Sequence, residues 1–476
     1  MTKKIIHTVL SLAAAVLCLC SCVKEDFAPQ GGATFGEGLL QLNFGPQDNV
    51  CVQTRATLDT KSESRIFNLY VFVFDAAGNK VSGEYFDTRN LKTQEFVSTA
   101  TEDCWWVNNA TTNDGKTTGG LVVKTAAGEG MTVYVLTNLD SDMVKVSSNL
   151  LSATIHNEND IKKFNAYLNQ RIISRNGYFP MTGKLSGVTV IDNENSNNTV
   201  RTVINETMLL KRIDAKVRFI FKQGSRPDEK GQVIKKFEAR QWKVVNVPRT
   251  SYMLSYDQRG AGAMNGQDFV NVDPNTPEGE YSKYAKDYFE TDFVNFEDFP
   301  QTGQSEFSFY MLENCQVPKK TPLNYQDRSR DLKEEDGKNR KCEVSYSLDG
   351  VEYTRTMREF EYANDFSTYV VVTGYVEMAL DNDEAGNVLG GDVQYIIHLG
   401  DWNAIINNDT GNQGDGKDSY SAFDNFNTER NTSYTYTVTV NGVNSIRVEV
   451  ETSKGAVSDV IENQPGASGQ ISIAKE

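Results

Sequence analysis

The chain has 476 residues, with 64 acidic against 48 basic side chains and a formal charge of −16 at pH 7. That balance argues against nucleic acid and anionic lipid as partners, which bind through clustered lysine and arginine. Hydrophobic residues make up 39% of the chain, enough to build cores, and the length allows about three domains.

Lys3 and Lys4 precede an apolar run, Ile5 to Leu19, that contains Ala13-Ala14-Ala15. The run is too short to span a bilayer comfortably and reads as a signal peptide over residues 1–21. It ends in Leu19-Cys20-Ser21-Cys22. Cleavage before a lipidated cysteine needs small side chains just upstream, so Cys22 is the expected lipid-bearing residue and Cys20, directly after Leu19, the poorer candidate. Several acyl chains on one cysteine hold a protein at a membrane without a spanning helix, and no second run of eighteen apolar residues occurs. Loss of the signal removes two lysines and takes the charge to about −18.

Residues 22–55 read as a tether carrying a short strand, Leu39 to Phe44, followed by the polar segment Gln53-Thr54-Arg55-Ala56. A cut after Arg55 would remove the lipid and that strand together, leaving Ala56 as the new N-terminus. If Arg55 is only a loop arginine, the strand stays, as it would in an anchor or capping subunit.

Strand signals then follow one another, rich in aromatic and β-branched residues. They are Ile66–Phe74, Met131–Leu136, Val217–Phe221, Trp242–Val247, Phe307–Met311, Tyr369–Met378, Val393–His398, Tyr434–Val440 and Ile446–Glu451, with Asn441-Gly442 as a hairpin turn between the last two. The one helix expected is Glu158–Ile172, with Asn157 as N-cap. The polar stretch Gln223–Gly231 places a domain boundary there, giving an N-terminal domain over 56–225 and a C-terminal domain with its tail over 232–476. Asn407–Asp418 reads as a long surface loop. Many strands and minor helix predict an all-β fold of two tandem β-sandwich domains.

After Glu451 little remains with core-building character. Ser453-Lys454-Gly455 is expected to break the strand, Val457, Val460 and Ile461 make a short apolar patch, and Gln470-Ile471-Ser472-Ile473 is a brief β-prone segment. Val457, Val460, Ile461, Ile471 and Ile473 are therefore candidates for a strand donated to a neighbouring molecule; the alternatives are a disordered or self-packed tail and a donor that includes the Ile446–Glu451 strand.

Catalytic material is scarce, and no enzyme is expected. Besides His7 in the signal there are His156 and His398, each read as structural or surface. No metalloprotease, nucleophile-elbow, P-loop or dinucleotide motif occurs, and no metal or cofactor is expected. Asp381-Asn382-Asp383-Glu384-Ala385-Gly386 begins like a calcium loop, but Ala385 takes a ligand position and Asp392 stands where a glutamate belongs. Beyond the signal region Cys51, Cys104, Cys315 and Cys342 are scattered and predict no particular bridge. The adjacent Trp105 and Trp106 suggest a core or sheet-edge feature, or a surface that grips a sugar ring.

Several of these segments, in order, resemble the fimbrillin superfamily, the donor-strand (type V) pilus subunits of Bacteroidota. Arg65–Asp75 is similar to its first core strand, Thr132–Asn138 to its valine-rich strand ending in Thr-Asn, and Phe179-Pro180-Met181-Thr182-Gly183 to its Pro-Met-Ser/Thr-Gly signature. Leu210–Val217 resembles the strand that closes the family's N-terminal domain. Asn246-Val247-Pro248, Phe309–Asn314 and Tyr434–Glu451, with Asn431 just before it, resemble parts of its C-terminal domain. Lys24-Glu25-Asp26 resembles a short signal for lipoproteins bound for the outer face of the outer membrane. The resemblance implies two sandwich domains of transthyretin-like topology and export as a lipoprotein to the cell surface. It also implies removal of an N-terminal strand by an arginine-specific protease, and assembly by strand donation with other fimbrial subunits. The expectation is a structural subunit of an adhesive fimbria with host or bacterial surface ligands. The alternative is an outer-membrane lipoprotein that binds glycans through Trp105 and Trp106.

Overall fold

The computed structural model describes residues 36–44, 68–87, 104–107, 120–139, 144–146, 155–168, 173–174, 179–193, 201–225, 227, 231–255, 285–299, 304–316, 318–348, 350–380, 388–402, 423–443, 446–454, 460–463 and 471–474. It is an all-β fold with almost no helix. The first sandwich opens with β1 (Glu37–Phe44), β2 (Asn68–Phe74), β3 (Lys80–Asp87), β4 (Cys104–Val107), β5 (Gly120–Ala126) and β6 (Gly128–Thr137). After β7 (Val144–Val146), α1 (Glu158–Lys162) and β8 (Asn165–Leu168), it is completed by β9 (Met181–Val190), β10 (Arg201–Met208) and β11 (Lys211–Arg212). Its two sheets have strand orders β10-β1-β5-β4 and β11-β9-β6-β2-β3. Strand alternation points Leu40, Leu42, Leu121, Val123 and Met208 of the first sheet at Leu69, Val71, Val73, Val133, Val135 and Met181 of the second.

β2 is buried on both faces. Its other side, Tyr70, Phe72 and Phe74, joins Tyr134 and Leu136 of β6 against Ile155, Ile161, Phe164 and Leu168. That packing explains why the helix is one turn long rather than reaching Ile172. Asn157 caps it with a full capping box, and Lys163 ends it. Phe164 then enters the core, and the chain straightens into β8 to pair with β7 and with β15 (Thr250–Tyr252). Tertiary pairing overrides the helical period.

The second sandwich begins earlier than the polar stretch at 223–231 suggested. β12 (Asp214–Gln223) takes in the second half of Leu210–Val217, the segment expected to close the N-terminal domain. By pairing it belongs to the later sheet, antiparallel to β19 (Gln304–Leu312) and parallel to β24 (Thr432–Val440). In β12, Val217, Phe219 and Phe221 face inward while Lys216, Arg218 and Lys222 face out. That sheet has the order β18-β19-β12-β24-β25, with β18 at Glu297–Phe299 and β25 at Ile446–Lys454. Opposite lies β17-β13-β22-β23, from β13 (Gln232–Val245), β17 (Val294–Asn295), β22 (Tyr369–Leu380) and β23 (Val388–His398). Between the sheets Trp242 stacks on Phe307 with centroids 4.0 Å apart, and Phe219 on Tyr436 at 4.6 Å. β14 (Val247–Pro248) pairs with β16 (Tyr288–Phe289). A 3-10 turn (Tyr325–Ser329) and the hairpin of β20 (Lys341–Leu348) and β21 (Val351–Arg358) sit between β19 and β22. The tail forms one more hairpin, β26 (Val460–Asn463) with β27 (Ile471–Ala474).

Candidate functional site

β1 is the first described strand, and it is locked into the interior of a sheet. Along one edge it runs antiparallel to β5, from Glu37 opposite Ala126 to Leu42 opposite Leu121. Along the other it runs parallel to β10, Leu39 to Gln41 facing Arg201 to Val203, with a bulge before Asn43 faces Thr207. Both rows of its peptide groups are therefore used. Leu40 and Leu42 are fully buried in the first core, and Leu39 and Gln41 on the opposite face are nearly so. Each buried leucine is worth about 1.5–3 kcal/mol. Gly36 and Glu37 pin the entry, their carbonyls accepting from the Ala127 and Asn193 amides at 2.6 and 2.9 Å. The ion pair of Glu37 with Lys124 at 2.6 Å is largely solvated and adds little.

Gly38 meets the tightest constraint. A Cβ built there would stand 2.4 Å from Val190 Cγ1 and 2.7 Å from the Ile191 carbonyl oxygen. The valine methyl can turn away, but the backbone oxygen, just past the end of β9 in the facing sheet, cannot, so only glycine fits. The slot thus reads Gly-x-Leu-x-Leu along its inward positions. Sequence reasoning found Leu39–Phe44 as a strand but not the glycine, whose constraint comes from residues far along the chain.

The other singled-out residues lie apart from this slot. Cys22, Arg55, Ala56 and Val457 fall outside the described residues, as do Cys51, the loop beginning at Asp381 and the Asn407–Asp418 loop. Val460 and Ile461 lie on β26, and Ile471 and Ile473 on β27, where Ile461 faces Ile473 and Val460 faces Ala474. The tail pairs with itself in this state. Ser453 and Lys454 do not break their strand, because β25 continues to Lys454 opposite Thr432.

Trp105 and Trp106 sit on β4, the edge strand of the sheet that holds β1, opposite Val122 and Leu121. Cys315 is buried, and Cys342 half-buried. Asp392 is engaged by Arg240 at 2.8 Å. His156 is exposed. His398 is buried, its Nδ1 3.1 Å from Ser329 Oγ, with its ring edge-on to Phe360 and Phe426. Burial, then the Arg328 and Arg358 charges, hold its pKa well below the usual imidazole range. Arg328, itself pushed down to about 10 by burial, donates to the carbonyls of Phe423, Leu399 and Asn425 and stacks on Trp402 and Phe426. These groups knit the core.

Among the described residues no group of three or more His, Cys, Asp or Glu side chains is placed to hold a metal ion. No helix among them is long and apolar enough to cross a membrane.

Residues 40–212 match the family model described as the major fimbrial subunit protein (FimA). The match begins within β1 and ends on β11, just before the strand that opens the second sandwich. No curated protein matches. Solved structures similar to the chain include a candidate cell adhesion protein from Parabacteroides distasonis, 14% identical over 89% of this chain and 100% of that one, with a TM-score of 0.49. A fimbrilin (fimA) from Porphyromonas gingivalis W83 is 12% identical over 88% and 98%, TM-score 0.42. The tip fimbrial protein Mfa3 from Porphyromonas gingivalis is 14% identical over 88% and 99%, TM-score 0.40.

Proposed function

We propose that the chain, whose residues 40–212 match the model of the major fimbrial subunit protein (FimA), is a lipoprotein precursor whose β1 is exchanged during assembly of an adhesive surface fimbria. The observation that carries this reading is the position of β1. It fills the middle of a sheet, yet it is joined to the rest of the fold only through residues 45–67, which contain Arg55. One cut after Arg55 by an arginine-specific protease frees Cys22, its lipid and β1 together.

Departure of β1 leaves two rows of unpaired peptide groups, on β5 and β10, flanking an apolar floor from the facing sheet that includes Leu69, Val71 and Val133. Such a groove is unstable in water and takes up a strand of another chain. Donation from one subunit to the next is head-to-tail, so it grows a filament rather than closing a dimer. The Cys22 lipid holds the uncut precursor at the outer membrane.

The test is trimming by a trypsin-like protease. The mature protein is expected to form an SDS-resistant ladder, while the Arg55→Ala variant stays monomeric. A ladder that forms equally in Arg55→Ala would remove Arg55 from the scheme. In cells, Cys22→Ala is expected to abolish fatty-acid labelling; persistent labelling would move the lipid to another cysteine.

A further inference from the structure

We propose that the second sandwich carries a binding site for a neutral oligosaccharide, in the groove where Asn295, Gln241, Thr373 and Gln394 line up across β17, β13, β22 and β23. The groove measures about 1060 Å³, just above the roughly 300–1,000 Å³ usual for small-molecule sites. That is room for several linked sugars rather than one ring. The site lies wholly within the second sandwich, and so stands or falls apart from strand exchange.

Register makes the floor. Gln241 pairs with Asn295 on one side and Thr373 on the other, and Thr373 pairs with Gln394. Side chains at paired positions share a face of the sheet, so three amides and a hydroxyl form one row across four strands. Gln241 Nε2 donates to Asn295 Oδ1 at 3.1 Å, and Thr373 Oγ1 to the Gln241 carbonyl at 3.3 Å. Gln241 Oε1, Asn295 Nδ2 and the Gln394 amide have no partner among the described residues. Further along the same face Val371 and Ile396 pack with Phe360, Ala363 and Phe426, so the open part begins at Thr373 and Gln394.

A bulge supplies the wall. The register of β13 against β22 shifts between Ala239 and Gln241. Arg240 is the extra residue, and both it and Gln241 are exposed while Ala239 still packs against the core. Bulges re-aim side chains in this way beside functional sites. Gly374 stands opposite Ala239, where a Cβ would lie 2.7 Å from the Glu238 carbonyl oxygen, so the close approach of the two strands requires glycine. Arg240 reaches across β22. Its guanidinium lies over the Tyr375 ring, 5.3 Å from the centroid, and its Nη1 donates to Asp392 on β23 at 2.8 Å. Its Nε is 3.5 Å from Glu238.

These groups fit sugar hydroxyls, which both donate and accept, as glutamine, asparagine and threonine side chains do. The floor carries no charge, and the one cation of the wall is shared by two carboxylates, so an anionic ligand is disfavoured. A peptide strand finds no edge to extend, because β13, β22 and β23 already pair across the floor. The apolar lining residues Phe296 and Val393 are buried, which leaves little for a lipid or a hydrophobic peptide.

The experiment applies the untrimmed full chain to an array of neutral glucose-, galactose-, mannose- and N-acetylglucosamine-containing oligosaccharides, beside sialylated and sulfated glycans and gelatin peptides. Retention on neutral glycans is expected. A Gln241→Ala, Gln394→Ala double variant is expected to bind the best of them roughly tenfold or more weakly by calorimetry, the equivalent of one or two lost hydrogen bonds. Both glutamines are exposed, so its thermal unfolding is expected to match that of the unsubstituted chain. Arg240→Lys, which keeps the charge but not the planar fork, is expected to weaken binding as well, while Glu352→Ala on exposed β21 leaves it unchanged. No retention on any neutral glycan, retention only on anionic glycans or gelatin, or neutral-glycan binding that survives the double variant and Arg240→Lys overturns the site. Each of those results leaves strand exchange standing, since the untrimmed chain keeps β1 in place.

Discussion

Asn138, Asn246 and Asn431 each hold a left-handed backbone, with φ of 58°, 58° and 53°. All three fall in or beside the sequence segments that resemble fimbrillins, and the structure gives the physical reason. Each sits where a strand starts or ends and must turn sharply, and asparagine tolerates that conformation better than any other side chain but glycine. Each also places its amide on a neighbouring segment. Asn138 donates to the Phe179 carbonyl at 2.8 Å, and Asn246 to those of Asp365 and Ser367 at 2.7 and 3.1 Å. Asn431 accepts from the Arg212 amide at 3.4 Å. Asn246→Ala loses two buried hydrogen bonds and strains the backbone, and is expected to lower unfolding free energy in urea by about 2–4 kcal/mol. Asn246→Gly, which keeps the conformation, is expected to cost less; equal losses would show that the backbone strain contributes nothing.

His398 supplies a second test at this scale. Burial, with Arg328 and Arg358, lowers its proton affinity in the folded state, whereas the unfolded chain's histidine titrates near its ordinary value of about 6.5. Below that pH the unfolded state binds the extra proton, so stability present above pH 6.5 is lost as the pH falls. His398→Leu is expected to flatten the decline in unfolding free energy between pH 7 and pH 5, whatever it does to the value at pH 7. An unchanged slope would contradict the assignment.

At the scale of elements, the strands most legible in the sequence were those buried on one or both faces. Asn68–Phe74, Tyr369–Leu380 and Thr432–Val440 all fall on aromatic and β-branched runs. What escaped was decided by pairing. The β20–β21 hairpin was missed although Leu348-Asp349-Gly350-Val351 carries a turn signal, with Gly350 at φ 79°; its strands are half exposed and read as loop. β12 was legible as a strand, but its place between β19 and β24 was not, since a parallel partner more than two hundred residues away leaves no local trace.

β1 was likewise legible as a strand from Leu39-Leu40-Gln41-Leu42, while its glycine requirement was not. Leu42→Ala is expected to cost about 2–5 kcal/mol in the untrimmed protein. Hydrogen exchange carries a sharper expectation. After a cut at Arg55 and loss of β1, amides of β5 and β10 should exchange faster while those of β12 and β24 stay protected. Uniform loss of protection would mean that β1 holds the whole fold together rather than filling one slot.

Across the whole molecule, the two sandwiches have different roles in this account. The second is complete: its sheets close over stacked aromatic rings with no strand that a cut in residues 45–67 would release. The first includes β1, the strand that such a cut would release. On the proposed reading, the net negative charge disfavours association of untrimmed subunits, and assembly waits on one proteolytic event. The most direct measurement is the N-terminal residue of the chain within SDS-resistant polymer isolated from intact cells. The account predicts Ala56, with β1 absent and a foreign strand in its place. Polymer whose subunits still begin at lipidated Cys22 would mean that β1 is never released, and would contradict it.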